Sequence, residues 1–377
     1  MPWEVLPVSE VRFAFVHEVN SLKTPVAQAC RKFRVSRKTG YKWLGRFRLA
    51  PDRPLADRSR RPKNSPRRTG ADLERQILDL RQRFGWGPRK IRACLHNQGH
   101  TVPSIRTVGN LLRRCGCIAT KEGTPPAPLS FERSAPNELW QCDHKGPIEV
   151  ARQKIHPLTV LDDHSRFLIA LVPCADLCMR TAFDVLWNAF GEFGLPQSIL
   201  ADNAFGSGFA VPKTLSWFDA QLIRLGITPI HGRFYHPQTQ GKVERIHGTL
   251  ERELWPSIRR DALPQFTADL DHFRRNVYNT LRPHEALGDR PPLSRYQPSA
   301  RQRPPHVPPV EYPPDAVVRK VASGGDISFA GCRILVGAGL YKQSVRIEDH
   351  GQEIKIFYAW KQIRVLATPL LERDKLL

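Results

Sequence analysis

Three acidic side chains, each beside the end or the start of a regular element, have the types and spacing needed for metal-dependent chemistry. Asp143 and Asp202 stand at the ends of predicted strands, and Glu244 stands at the mouth of a predicted amphipathic helix. Carboxylates that converge from separate elements suit Mg²⁺, which prefers oxygen ligands and keeps several waters. A pair of such ions can activate an attacking oxygen and stabilise a leaving oxygen at phosphorus. The three residues therefore predict metal-dependent chemistry on phosphodiesters.

Other acidic residues near these three are assigned structural or solvated roles. Asp162 and Asp163 lie in a polar turn before Arg166, where an aspartate commonly satisfies backbone donors. Glu251 and Glu253 lie further along the helix of Glu244 and are predicted to be solvated. The sequence thus leaves Asp143, Asp202 and Glu244 as the candidate catalytic and metal-binding set.

The elements that must position these carboxylates lie in residues 137–282, where predicted strands and helices alternate. Val243, Ile246 and Leu250 give the helix of Glu244 a buried stripe at helical spacing. A strand and a hairpin come first and strand–helix–strand units follow, which argues for a mixed sheet flanked by helices within a multidomain α/β chain. The predicted strands are residues 139–143, 156–161, 166–172, 198–201 and 227–230, and the predicted helices are residues 181–193 and 215–225.

The charge balance points to a polyanionic partner. The formal net charge is +22, and residues 1–70 alone carry 17 Lys+Arg against five Asp+Glu. Such a balance fits nucleic acid or an anionic membrane surface. No apolar run approaches the length of a membrane span, and the first residues lack a signal pattern. Double-stranded DNA, and no membrane, is therefore the predicted partner.

Residues 1–49 are predicted to form a helix-turn-helix DNA-binding domain of three short helices. The second helix begins at Thr24-Pro25 and the third at Ser36, with a short turn between them. Tyr41, Leu44 and Phe47 are predicted to face inward on the third helix. That helix would lie in a major groove, and the alternative is a generic basic module whose charges are only solvated. Its basic residues are Arg37, Lys38, Lys42 and Arg46.

Residues 50–68 are predicted to form a basic linker. Between residues 58 and 68 there are six basic residues and no acidic one. Such a segment could follow the phosphates of DNA or lie in a minor groove; the alternative is a linker that contacts only solvent. The residues predicted to contact DNA here are Arg58, Arg60, Arg61 and Lys63.

The remaining segments are predicted from breakers and periodicity. Residues 69–118 indicate a second helix-turn-helix module, broken at Gly85-Trp86-Gly87-Pro88, and residues 119–136 a linker. Residues 283–314 hold ten prolines and predict an extended connector. Short alternating strands in residues 315–377 predict a small β-barrel. The eight cysteines are scattered, so reduced thiols in a cytosolic protein are expected.

Several motifs together resemble the catalytic core of insertion-sequence transposases and retroviral-type integrases. They are the strand of Asp143, the turn Asp162-Asp163-His164-Ser165-Arg166, Asp202-Asn203, and residues 236–254. Tyr278-Asn279 and residues 282–288 are similar to the segment that follows the core in the bacterial members. The resemblance covers about residues 135–300.

The resemblance implies an RNase H-like fold and a DDE triad of Asp143, Asp202 and Glu244 that holds two Mg²⁺ or Mn²⁺ ions. It implies that water cleaves at the end of an element to leave a 3′-hydroxyl, which then attacks target DNA. Lys242 and Arg245 match basic positions beside the glutamate, and the resemblance implies that they contact DNA phosphates. A homo-oligomer on DNA and a bacterial cytoplasmic, nucleoid-associated location are expected. The His/Cys zinc module of retroviral integrases is not visible, so no structural zinc is predicted.

The sequence departs from the family pattern after Asp202-Asn203. Ala204-Phe205 follows where the family usually has a glycine, and 41 residues separate Asp202 from Glu244. A longer surface loop costs little, because closure entropy grows slowly with length. Two other functions remain open: a DNA-binding regulator with an inactive core, and an RNase H-like nuclease without strand transfer. The intact triad disfavours the first, and the DNA-binding modules on both sides of the core disfavour the second.

Overall fold

The computed structural model describes residues 7–51, 55–57, 68–118, 132–201, 215–231 and 241–367. Two compact units divide the chain, Met1–Arg68 and Thr69–Leu377. Among the described residues, no helix combines the length and the apolar composition needed to cross a membrane. The predicted site residues that lie outside the described residues are Asp202, Arg58, Arg60, Arg61 and Lys63.

The first unit contains the three predicted helices. They are α1 (Val8–Asn20), α2 (Val26–Lys32) and α3 (Arg37–Leu49). The side chain of Ser36 caps α3 by accepting a hydrogen bond from the backbone N–H of Thr39 at 3.2 Å. Phe15, Trp43 and Leu44 are buried between the helices. The inward position predicted for Tyr41 is wrong, because its side chain is 62% exposed.

Part of the predicted linker belongs to this first unit. Leu55 is buried against the helical core. The guanidinium of Arg12 donates to the carbonyl oxygen of Leu55 at 3.0 Å and to the carboxylate of Asp57 at 2.9 Å. Residues 55–57 are therefore packed against the helices of this unit, and the predicted bounds of the linker, residues 50–68, stay a prediction.

The second unit begins with the predicted second module, and that module shares its core with the following domain. Its helices are α4 (Ala71–Phe84), α5 (Pro88–Asn97) and α6 (Ile105–Arg114). Gly85, with a left-handed φ of 66°, ends α4, and Ser104 caps α6. Ile77, Trp86 and Leu112 lie in the same hydrophobic cluster as residues of α9 and α10 defined below.

The central sheet is mixed, as predicted. Its strands are β1 (Trp140–His144), β2 (Ile148–Val150), β3 (Gln153–Asp162), β4 (Leu168–Cys174), β5 (Ser198–Ala201) and β6 (Thr228–His231). The order is β4-β3-β1-β5-β6, and β2 pairs with the start of β3. β3 runs antiparallel to β1 and β4, whereas β1, β5 and β6 are parallel.

Helices pack on both faces of this sheet. α7 (Met179–Phe193) and α8 (Trp217–Arg224) share a core with the side chains of one face. α9 (Gly241–Glu253) and α10 (Leu263–His272) share a second core with the other face and with α4–α6. A π-helical segment, Phe273–Tyr278, continues α10. The sheet is therefore covered by two separate apolar layers, and α9 carries Glu244.

The C-terminal segment forms two sheets, and the predicted barrel is not confirmed. The strands are β7 (Val317–Lys320), β8 (Asp326–Phe329), β9 (Cys332–Leu335), β10 (Ser344–Asp349), β11 (Glu353–Tyr358) and β12 (Lys361–Ala367). A four-stranded sheet has the order β12-β11-β10-β7, and β8 pairs with β9. Across residues 315–367, β7 and β12 remain at opposite edges, so strand pairing does not close the sheet. The indole N–H of Trp360 donates to the carbonyl oxygen of Ile223 on α8 at 2.7 Å.

The proline-rich connector is largely irregular, as predicted, but it packs closely on the core. Tyr296 is buried and stacks on Phe167 with 4.1 Å between ring centroids. The guanidinium of Arg301 donates to the carbonyl oxygens of Pro196 at 2.7 Å and Leu225 at 3.0 Å. The connector therefore holds the C-terminal ends of α7 and α8 to the sheet.

Glu253 stands at the centre of a buried charged network, so its predicted solvation is wrong. Its carboxylate accepts hydrogen bonds from Trp86 at 2.8 Å, Lys90 at 2.7 Å, and Arg282 at 2.8 and 2.9 Å. The Glu253 and Arg282 side chains are each 6% exposed. Burial alone would raise the pKa of Glu253, but the hydrogen bonds and charges of Arg282 and Lys90 outweigh it and lower the pKa to about 2. The network joins α5, α9 and the segment after the core.

We expect Glu253→Gln to destabilise the second unit. Removing one partner of a buried ion pair leaves an uncompensated charge and costs about 3 kcal/mol of unfolding free energy. Urea-induced unfolding followed by circular dichroism measures this loss. Glu251→Gln is the matched control, because Glu251 is 54% exposed and pairs with Lys145; it should cost less than about 1 kcal/mol. Equal urea midpoints for the two variants would contradict the assignment.

The contribution of Glu253 to stability should depend on pH. A carboxyl whose folded pKa lies below its unfolded value stabilises the fold above the unfolded pKa, and loses that contribution as the pH falls. The difference in unfolding free energy between wild type and Glu253→Gln should thus be full at neutral pH. It should shrink as the pH falls from about 4.5 toward about 2. A difference that stays constant over this range would show that the charge of Glu253 is not what stabilises the network.

Candidate active site

Strand β1 separates its side chains onto the two faces of the sheet, because successive residues of a strand point to opposite sides. Trp140 and Cys142 lie in the apolar core shared with α7 and α8. Asp143 and Lys145, at and just beyond the end of the strand, instead contact side chains of α9. Asp143 is therefore on the face that α9 covers, and its side chain is 21% exposed.

The register of β1 and β5 relates Asp143 to Asp202. The two strands are parallel, and Cys142 pairs with Ala201. Asp143 and Asp202 are the next residues in the sequence. Asp202 itself lies outside the described residues, so the structure brings the residue before it, rather than its carboxylate, beside β1.

Helix α9 runs along β1 with one face of acidic and histidine side chains. The carboxylate of Glu251 accepts a hydrogen bond from Lys145 at 2.5 Å. One turn earlier, Nδ1 of His247 is 3.9 Å from Oδ2 of Asp143. Residues three or four apart share a helix face, so Glu244 lies on the same face one turn before His247. Glu244 is exposed, and the helix thus carries it to the part of the sheet that contains Asp143.

Both ends of α9 are fixed by ion pairs. At the start, Nζ of Lys242 lies 2.5 Å from Oδ1 of Asp163, and at the end Glu253 holds Arg282. Burial lowers the pKa of Lys242, and its side chain is 14% exposed. Lys242 therefore has a structural partner, and its predicted contact with DNA stays a prediction. Arg245 is exposed beside Glu244.

The aspartates of the polar turn have the structural roles predicted for them. Asp162 is fully buried and accepts hydrogen bonds from the backbone N–H of Asn137 and from Ser165. Burial raises the pKa of Asp162. Asp163 is also fully buried and accepts from the backbone N–H of Arg133 at 2.8 Å. Because Asp163 also pairs with Lys242, the turn holds the start of α9.

His247 is a site residue that the sequence did not reveal. Its Nε2 lies 3.0 Å from the hydroxyl of Thr159 on β3, and that hydroxyl donates to the backbone carbonyl oxygen of Asp143 at 2.9 Å. Burial, reinforced by the charge of Lys145, lowers the pKa of His247 to about 4, so the imidazole is neutral at pH 7. Its position three residues after Glu244 was the available signal. Its partner Thr159 lies 88 residues away in the sequence.

Three of the four predicted DNA-contacting residues on α3 lie at its surface. Arg37, Lys38 and Lys42 are exposed. Arg46 is half-buried, and its guanidinium carbon is 4.6 Å from the ring centroid of Trp43. Three of the four basic side chains are therefore available to a partner.

The described residues supply only part of the predicted metal site. No cluster of three or more His, Cys, Asp and Glu side chains that suits a metal ion occurs within these residues. The predicted set includes Asp202, which they do not cover. Asp143 and Glu244 fit a divalent cation by chemistry, since both present carboxylate oxygens with access to solvent.

Comparison with known proteins identifies similar regions in viral polyproteins. The Gag-Pro-Pol polyprotein of Simian retrovirus SRV-1 is 30% identical over 141 residues, which cover 37% of this chain and 8% of that protein. The Pro-Pol polyprotein of Simian foamy virus type 3 (strain LK3) is 30% identical over 158 residues, which cover 40% of this chain and 13% of that protein. The chain thus spans less than a seventh of the length of these relatives.

Two solved structures show weak similarity. A simian T-cell lymphotropic virus intasome in complex with PP2A regulatory subunit B56 gamma shares 15% identity, with a TM-score of 0.38, over 78% of this chain and 96% of that chain. The HTLV-2 integrase catalytic core domain in complex with magnesium shares 17% identity, with a TM-score of 0.33, over 44% of this chain and 99% of that chain.

Family models match two parts of the chain. Residues 133–237 match an integrase core domain, and residues 225–292 match a second model of the same description. Residues 39–112 match a homeodomain-like domain. Residues 133–292 are therefore similar to integrase core domains, and residues 39–112, on their N-terminal side, to a homeodomain-like domain.

Proposed function

We propose that this chain is a DNA transposase of the bacterial insertion-sequence type, which cleaves element ends and joins them to target DNA. The observation that carries the proposal is the placement of α9 along β1. It brings the helix of Glu244 to Asp143, next to the strand that directly precedes Asp202. Three carboxylates from three separate elements would then meet at the C-terminal ends of β1 and β5.

Asp143, Asp202 and Glu244 would hold two divalent cations, Mg²⁺ or Mn²⁺. When bound, such ions neutralise charge at the phosphorus and lower the pKa of a coordinated nucleophile. The site fits them because its donors are carboxylate oxygens, the ligands that Mg²⁺ prefers. The exposed Glu244 and the partly exposed Asp143 leave room for a DNA backbone to approach.

The other residues of the chain would position these carboxylates and the DNA. The ion pairs of Lys242 with Asp163 and of Glu253 with Arg282 fix α9 against the sheet. The backbone of Glu244 is therefore already in position before DNA binds. Arg245, exposed beside Glu244, would contact a phosphate of the bound strand. The basic face of α3 would read the element end in a major groove.

The proposed reaction is a hydrolysis followed by a transesterification at one site. A water oxygen first attacks a phosphorus at the element end and gives up a proton; the departing 3′-oxygen takes up a proton to become a hydroxyl, and the phosphorus stays on the released strand as a 5′-phosphate. That 3′-hydroxyl then attacks a phosphorus of the target, whose own 3′-oxygen leaves, so the number of phosphodiester bonds is conserved in the second step. In-line attack in both steps requires the reacting groups to be held in near-attack geometry.

Pairing of two element ends would require at least two copies of the chain on DNA. The proposed location of this complex is the bacterial cytoplasm. A monomeric complex that is active on a single end would contradict this. The two rival functions, a nuclease without strand transfer and a DNA-binding regulator, give different products in the same assay. Cleavage without joining favours the nuclease, and binding alone favours the regulator.

Substitution of the carboxylates should abolish chemistry and leave DNA binding intact. Asp143→Asn, Asp202→Asn and Glu244→Gln should each slow cleavage and joining by about 10³-fold or more, because a lost metal ligand removes several kcal/mol of transition-state stabilisation. The assay uses Mg²⁺, an end-labelled duplex selected from random sequences by its affinity for the full chain, and a supercoiled plasmid target. Glu251→Gln, on the same face of α9, should keep the wild-type rate. Joined products from any of the three variants at the wild-type rate would refute the triad.

Substitution on α3 should weaken DNA binding through the phosphate contacts. Lys38→Ala combined with Lys42→Ala should reduce the slope of log K against log salt concentration by about 1.8, since each phosphate contact contributes about 0.9. Fluorescence anisotropy with the selected duplex measures the slope. Lys32→Ala on α2 is the matched control, because Lys32 already pairs with Glu18 at 2.8 Å. A slope unchanged by the double substitution would place the DNA elsewhere.

A further inference from the structure

The hydroxyl of Thr159 determines which nitrogen of His247 carries a proton. Thr159, which pairs with Asp143 across β3 and β1, is fully buried. Its single hydroxyl proton goes to the backbone carbonyl oxygen of Asp143 at 2.9 Å, since a carbonyl oxygen only accepts. The contact of 3.0 Å to Nε2 of His247 must then be a hydrogen bond from the imidazole to the hydroxyl. In the neutral imidazole the lone pair is therefore on Nδ1.

Nδ1 of His247 and the carboxylate of Asp143 are close enough for one metal ion to bind both. They are 3.9 Å apart, which is too long for a direct hydrogen bond. Two metal–ligand bonds of about 2.1 Å each span up to about 4.2 Å. His247 is only 9% exposed, so its nitrogen is held by the surrounding packing rather than free to rotate into solvent.

We propose that Nδ1 of His247 is a further ligand of the divalent cation that Asp143 holds, so that the centre combines an imidazole nitrogen with the Asp143 carboxylate. The inference rests on the proposed function, because it assumes that Asp143 binds a metal. It assigns the Thr159 hydroxyl as the positioning group: metal-bound histidines generally donate their other N–H to a fixed acceptor, which orients the ring.

The nitrogen ligand gives the site a preference among metals. Mg²⁺ is a hard cation that takes oxygen ligands, whereas first-row transition ions accept imidazole. A centre with His247 should therefore bind Mn²⁺ more tightly relative to Mg²⁺ than a centre of carboxylates alone. The alternative is a charged imidazole that pairs with Asp143, and it predicts no metal–nitrogen bond.

The direct test is pulsed electron paramagnetic resonance of the full chain with Mn²⁺. Wild type should show modulation from a directly bonded ¹⁴N nucleus, and protein labelled with ¹⁵N-histidine should show ¹⁵N modulation instead. His247→Gln should remove it, because the glutamine amide can still donate to Thr159 but has no imidazole nitrogen. His144→Gln is the matched control and should keep the modulation. His144 follows Asp143 in the sequence, and its Nδ1 is directed at the carbonyl oxygen of His156 at 3.4 Å.

Metal affinity gives a second readout that separates this inference from the proposed function. His247→Gln should weaken Mn²⁺ binding about tenfold in calorimetry, with a smaller loss for Mg²⁺ and an unchanged circular dichroism spectrum. Wild type without nitrogen modulation would overturn the assignment of His247, as would His247→Gln with unchanged Mn²⁺ affinity. If Asp143→Asn also binds Mn²⁺ like wild type, the metal site itself fails. If only Asp143→Asn loses the ion, the metal site stands and the histidine ligand does not.

Discussion

The candidate site depends on one packing arrangement: α9 packs along the face of β1. Val243, Ile246 and Leu250 are buried on one side of this helix, and the adjoining face presents its polar side chains to the end of the strand. Apolar burial gives the helix its position but little rotational precision, since the hydrophobic effect is not directional. The ion pairs at its two ends supply that precision, because charged hydrogen bonds have narrow geometry.

The charged network around Glu253 extends this arrangement to other parts of the second unit. Arg89 on α5 also forms ion pairs with Glu285 and Asp289, in the segment after the core. The motif of residues 282–288, noticed in the sequence only as a resemblance, thus has a physical role: it fastens α5 to the end of α9. Helices that precede the core in the sequence are therefore part of the structure that fixes α9.

The sequence was sufficient wherever the signal is local. The start of α3 at Ser36, the strand of Asp143 and the buried stripe of α9 were predicted directly, since each depends on residues a few positions apart. Burial of Glu253 depends on Lys90 and Arg282, which are distant in sequence, so a charged residue on a helix was assigned to solvent. The predicted barrel is not confirmed for a related reason: alternation indicates a strand, but strand pairing decides whether a sheet closes.

The candidate site shows the same difference between local signals and contacts that are distant in sequence. Asp143 and Glu244 could be selected because strand ends and helix starts are visible in sequence, whereas His247 acquires its role only through Thr159 on a different strand. Tyr41 was misplaced because aromatic character suggested burial, while Trp43 took the interior position. Residue type alone does not choose between two neighbouring aromatics on a helix.

The apolar cluster shared by α4–α6 and α9 has a consequence for how such chains can be recombined. Cutting the polypeptide after residue 118 would expose Ile77, Trp86 and Leu112 on one fragment and their partners on the other. A different DNA-recognition domain can therefore be joined to the second unit between residues 68 and 69, where the two compact units adjoin in the sequence. A junction at this position leaves the apolar cluster buried.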